Sequence, residues 1–168
     1  MTTIVRVALL ALFASWCGSI GQNTEAASLR TGVAVLQDRT IKGAEVKAKV
    51  RTGKYPKDQP FAPSLMWWGA PESGRSGTVV VALEIQIGAE QVPVPVSAII
   101  GLTNPTDVSL RRGEGDIEIV IKGGDASTSY TAVLVIKDGY LRRRRVVLGA
   151  FPKESWEETT YSYNTSER

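Results

Sequence analysis

The 168-residue chain has no histidine and a single cysteine, Cys17. Without histidine there is no Ser-His-Asp arrangement and no imidazole metal ligand. Cys17 lies in an N-terminal stretch that reads as a removable leader, so the mature chain has no thiol nucleophile and no internal disulfide. Phosphate-cradling glycine loops and dinucleotide fingerprints are also missing, and Gly113, Gly115, Gly123 and Gly124 read as turn glycines. No cofactor is implied. Nor is there a long apolar run of membrane-spanning length. The formal net charge of +3, from 20 basic and 17 acidic residues, is too small an excess to call for a nucleic-acid partner.

What is present begins with residues 1–27, which read as a secretory signal. Arg6 supplies the positive region, residues 7–16 form an apolar stretch too short to cross a bilayer, and small residues follow. Cleavage sites are offered after Cys17, Gly21, Ala26 or Ala27. A short buried helix or an uncleaved anchor are the competing readings. A lipid-modified Cys17 would give the chain its one membrane attachment, but Trp16 stands where a lipoprotein signal needs a small residue. The expectation is therefore an exported protein, periplasmic or extracellular, with a domain over 28–163 and a frayed tail over 164–168. A core of that size can be held together by packing alone.

From residue 28 onward, period-two alternation dominates and no segment shows a convincing 3.6-residue period. Residues 45–51 place Val46, Ala48 and Val50 on one face and Lys47, Lys49 and Arg51 on the other. In 78–87 the same parity groups Val79, Val81, Leu83, Ile85 and Ile87; in 116–122 it groups Ile117, Ile119 and Ile121. Segments 33–37, 65–68, 127–136 and 140–148 add further strands. A turn at Gly88 sets Ile87 opposite Val92, Ile85 opposite Val94 and Leu83 opposite Val96. A Gly123-Gly124 turn sets Ile121, Ile119 and Ile117 opposite Ala126, Thr128 and Tyr130. Asp138-Gly139 is the strongest hairpin signal. Pro93 and Pro95 remove amide donors from one edge only, as expected of a protected edge strand. Residues 55–63 read as a proline-rich loop and 152–158 as a helical turn. The sum is an all-β chain: a single sandwich of seven to nine antiparallel strands, immunoglobulin-like in architecture, with a small β-barrel as the alternative.

Three groups of residues carry candidate chemistry. Arg142, Arg143, Arg144 and Arg145 follow the Asp138-Gly139 turn. Strict alternation sends Arg142 and Arg144 to one face and Arg143 and Arg145 to the other, so one pair conflicts with burial beside Leu134 and Tyr130. A projecting tip, a bulge, or stems laid over apolar surface would resolve it. The run either grips an acidic polysaccharide or pairs internally with Asp138, Glu154, Glu157 and Glu158. Trp67 and Trp68 point to opposite sides of any regular strand, so one of them is a candidate platform for a sugar ring or a partner protein; Trp156, Tyr161 and Tyr163 form a weaker set. Glu114, Asp116 and Glu118 recur at every second position and offer weak calcium ligands or a carboxylate pair for hydrolysis, against a plain solvated face. The leading expectation is a non-enzymatic protein that binds or scaffolds another envelope or surface protein. A glycan or anionic-polymer binding module comes second, and a carboxylate-dependent hydrolase third.

Overall fold

The computed structural model describes residues 25–29, 32–54, 68–70, 77–154 and 156–163. Residues 1–24 of the signal-like segment, with Cys17, the 55–63 loop, Trp67 and the 164–168 tail lie outside the described residues. Among the described residues ten strands run in chain order: β1 (Glu25–Ser28), β2 (Val33–Arg39), β3 (Glu45–Lys54), β4 (Thr78–Ile87), β5 (Glu90–Gln91), β6 (Pro105–Arg111), β7 (Ile117–Gly123), β8 (Tyr130–Lys137), β9 (Tyr140–Leu148) and β10 (Glu157–Thr160). They form two antiparallel sheets, one of order β1-β6-β7-β8-β9-β10 and one of order β2-β3-β4-β5. Both sheets are open, so the chain is a sandwich and not a barrel. Among the described residues, no helix is long and apolar enough to cross a membrane.

Alternation explains the layering. In β3, Val46, Ala48 and Val50 are buried while Lys47, Lys49 and Arg51 face water. Ile117, Ile119 and Ile121 of β7 meet them from the other sheet, and one continuous core joins the two inner faces. The β8–β9 hairpin closes through a two-residue turn, with Lys137 opposite Tyr140. Both turn residues take positive φ (Asp138 52°, Gly139 75°), the conformation that Asp-Gly tolerates and that matches strand twist.

Two expected registers are shifted, each by an even number of residues. The β4–β5 turn is shorter than expected: Ile87 faces Glu90, and Val92 donates to the Ile85 carbonyl. After β7 the chain spends residues 124–129 on a loop with a 3-10 turn, so Ile121, Ile119 and Ile117 face Ala132, Leu134 and Ile136. An even shift preserves the buried face, which is why the inward residues of β7 are as expected. The proline strand is also shorter than read. β5 ends at Gln91, the Val92 amide makes the last bond to β4, and Val96 begins a 3-10 turn instead of pairing, although β5 is the edge of its sheet. No helical turn occupies 152–154; the chain makes turns there and returns as edge strand β10. At the other end, the sandwich begins upstream of residue 28, because β1 pairs along β6 from Glu25.

A β-bulge overturns part of the expected core. Arg51 faces Ala82 and Thr52 faces Val80, leaving Val81 as the extra residue of β4. Parity reverses there. Leu83 and Ile85 stay inside, Val80 replaces Val79 and Val81 in the core, and Val81 is 49% exposed. Gly53 makes room for it, since a Cβ there would lie 2.9 Å from the Val81 Cγ1.

Candidate functional site at the β9–β10 edge

A second bulge governs the arginine run. Val135 faces Arg143 while Ile136 faces Leu141, so Arg142 is the extra residue. Beyond it, Arg144 faces Leu134 and points inward, and Arg143 and Arg145 lie opposite Val135 and Val133 on the outer face. Arg142 and Arg144 therefore do not share a face, contrary to strict alternation. The four side chains go to four environments.

Arg144 is 2% exposed and is the largest fully buried side chain among the described residues. Its Nη1 donates to the carbonyls of Ser97 (2.6 Å) and Ile100 (2.9 Å), in the segment that leaves β5 and closes the side of the sandwich. Its Nε lies 3.0 Å from Glu157 Oε1 as an ion pair, without hydrogen-bond alignment, and Nη2 donates to Glu157 Oε2 at 3.4 Å. Burial lowers the arginine's pKa, and the Glu157 carboxylate opposes that shift. Trp68 completes the cluster. It is buried, its Nε1 donates to Glu157 Oε2 at 2.6 Å, and its carbonyl accepts from Thr103 N and Oγ1. One carboxylate on edge strand β10 thus joins a charge of the six-stranded sheet to an indole held by Gly101 and Thr103. A guanidinium enters an apolar core only when its donors and charge are met in this way.

The other three arginines stay nearer the surface. The Arg142 guanidinium carbon sits 4.9 Å from the Tyr140 ring centroid and 5.9 Å from that of Tyr163, a cation–π cluster. Arg143 pairs with Glu114 and, at 4.0 Å, with Glu158. Arg145 lies half-buried, opposite Val133 on one side and Glu158 on the other. Val120, Val133 and Val135 form a small buried cluster on this outer face, with Arg143 and Arg145 opposite two of them. Long side chains that cover apolar surface while their charged ends reach water account for that burial.

The acidic trio is dispersed. Glu118 is buried, accepts from Arg111 Nε at 2.7 Å and from the Glu114 amide at 2.9 Å. Asp116 accepts from the Asp138 amide at 2.6 Å, and Glu114 holds Arg143. Among the described residues, no group of three or more carboxylates or cysteines is arranged to hold a metal ion.

Trp156, of the weaker aromatic set, pairs with Phe151, a residue that no sequence pattern singled out. Phe151 and Trp156 stack with centroids 5.9 Å apart and an interplanar angle of 28°. They are 50% and 46% exposed. Trp156 rims a groove of about 220 Å³ lined by Trp68, Gly69, Ala70, Ser127, Thr128 and Leu148. The turn through Pro152, in which Phe151 N donates to Leu148 O and Trp156 N to Val146 O, brings the two rings together. The available signal was two aromatics five positions apart with Pro152 between them. Comparison of the chain with models of protein families, with curated proteins and with solved structures finds no match.

Proposed function

We propose that the protein is a non-catalytic, exported β-sandwich that binds another protein of the cell envelope or surface. The half-exposed Trp156 at the rim of an apolar groove, stacked against the equally exposed Phe151, carries this reading. Adjacent exposed aromatics are the residue types that anchor protein interfaces. At about 220 Å³ the groove is below the roughly 300–1,000 Å³ of small-molecule pockets and suits one anchoring side chain of a partner. Glu114, Asp116, Glu118 and Glu157 are each engaged within the fold, which argues against a carboxylate pair poised over a substrate.

A photo-crosslinking residue at position 156, in the full chain within its host, is expected to yield a discrete protein adduct. The same probe at position 122, on the outer face of the six-stranded sheet, should not. Replacing Phe151 with Ala should remove the adduct while the fold persists. The absence of an adduct at 156 refutes the proposal. Ser127 and Thr128 on the groove wall favour a second reading, a neutral glycan stacked on Trp156. Sugar binding abolished by Trp156→Ala would replace the first reading with that one.

A further inference from the structure

The outer face of the four-stranded sheet has a different chemistry. Lys47, Lys49 and Arg51 project from β3 at alternate positions, so they form one straight row with about 7 Å between neighbours. The register sets Val33, Val35 and Gln37 on one flank of the row and Ala82, Glu84 and Gln86 on the other. Arg39 shares the face at the end of β2, opposite Glu45. The four cations thus meet two carboxylates, Glu45 and Glu84. Those pairs are loose. Lys47 lies 3.4 Å from Glu45 and Arg51 3.9 Å from Glu84, with all four side chains about half exposed. Exposed pairs of this kind contribute little and exchange readily for another anion. Lys49 has no ion-pair partner among the described residues. A shallow trough of about 230 Å³ runs past Lys47 and Lys49 to Glu84, Gln86 and Gln91.

We infer that this face binds a linear acidic polysaccharide laid along β3. Charge complementarity chooses the occupant. A single straight row of cations matches a polymer with anionic groups repeated along its length, and the exposed Gln91 amide beside it suits sugar hydroxyls. A membrane surface would ask for exposed aromatic or long apolar side chains to insert, and here the flanking apolar residues are short ones on the sheet itself. This site is independent of the groove beside Trp156, with which it shares no lining residue.

The test uses the full domain with heparin and polygalacturonate as soluble probes and phosphatidylglycerol vesicles as a third arm. The wild type should bind both polymers at low salt and lose affinity steeply as salt rises. Lys47→Gln/Lys49→Gln/Arg51→Gln should weaken polymer binding by about tenfold or more and flatten the salt dependence. Arg143→Gln/Arg145→Gln, on the opposite face, should leave it unchanged. Circular dichroism should show both variants folded. Undiminished polymer binding in the triple variant, no polymer binding by the wild type, or binding to vesicles alone each overturns the inference.

Discussion

Strands β3 and β9 each carry four basic residues, and a bulge interrupts the pairing of each, in β4 opposite β3 and in β9 itself, yet their charges have opposite fates. In β9 the arginines are consecutive, so a sheet with a buried face cannot send them all to water. The bulge at Arg142 decides which one enters, and Arg144 is met inside by two carbonyls, a carboxylate and the carbons of the core. Arg142 and Arg143 are engaged by aromatic rings and carboxylates. In β3 the basic residues alternate with Val46, Ala48 and Val50, so Lys47, Lys49 and Arg51 reach the surface without any rearrangement and keep only loose partners. The two rows also belong to different sheets and project from opposite sides of the sandwich, so they cannot form one patch. A conspicuous charge run is thus spent on building the fold, and an unremarkable alternation is the one left available to a ligand.

The largest test of this contrast is Arg144→Met, which keeps most of the stem but leaves Glu157 and the Ser97 and Ile100 carbonyls without their cation. Urea unfolding should show a loss of about 3–5 kcal/mol. Adding Glu157→Gln should recover part of it, because the carboxylate that has lost its buried cation is then neutral. Replacing all three cations of the β3 row should change stability far less, by about 0.5 kcal/mol or less per site. Comparable losses in the two strands would erase the distinction.

The bulge in β4 provides the next test. Leu83→Ala should cost about 2–4 kcal/mol, since Leu83 is buried in the shared core. Val81→Ala, two residues away and of the same sequence parity, should cost about 0.5 kcal/mol or less because Val81 faces outward. Similar costs at both positions would mean that parity continues unbroken through β4.

The smallest effect concerns Tyr130, packed at the inner end of β8. Its hydroxyl is buried with no hydrogen-bond partner among the described residues, and burial pushes its pKa well up, against a weaker downward pull from Arg144. A pKa raised in the folded state means stability that is present below the unfolded value of about 10 and lost as pH climbs towards the folded one. Tyr130→Phe should therefore be within about 1 kcal/mol of wild type at pH 7. Above about pH 10 the variant should gain on wild type by up to about 1.4 kcal/mol per pH unit. Unfolding curves that stay parallel from pH 7 to 11 would show that the hydroxyl is not desolvated.

Strand identity and face were legible wherever period two ran unbroken. The inward residues of β3 and β7 follow from alternation alone, and the Asp138-Gly139 turn from its dipeptide. Turn lengths were not legible: Gly88 and Gly123 mark where a strand ends but not how many residues follow before pairing resumes. Neither bulge has a distinct residue signature in the sequence, so Val81 and Arg144 were the positions where parity failed. The exposed Phe151–Trp156 pair was hidden for a related reason, since its rings meet only when the Pro152 turn folds back on β9.

The sequence by itself determined an all-β chain with two-sided strands, because alternation of apolar and polar residues acts residue by residue and admits one buried face. Which of four neighbouring arginines is buried, and which basic row stays open to solvent, was decided only in the tertiary structure. Those outcomes depend on partners distant in sequence: the Ser97 and Ile100 carbonyls, Glu157 and Trp68 for one strand, and the long, exposed Arg51–Glu84 pair for the other. A buried charge is tolerated where long-range contacts satisfy it, and no local pattern encodes those contacts.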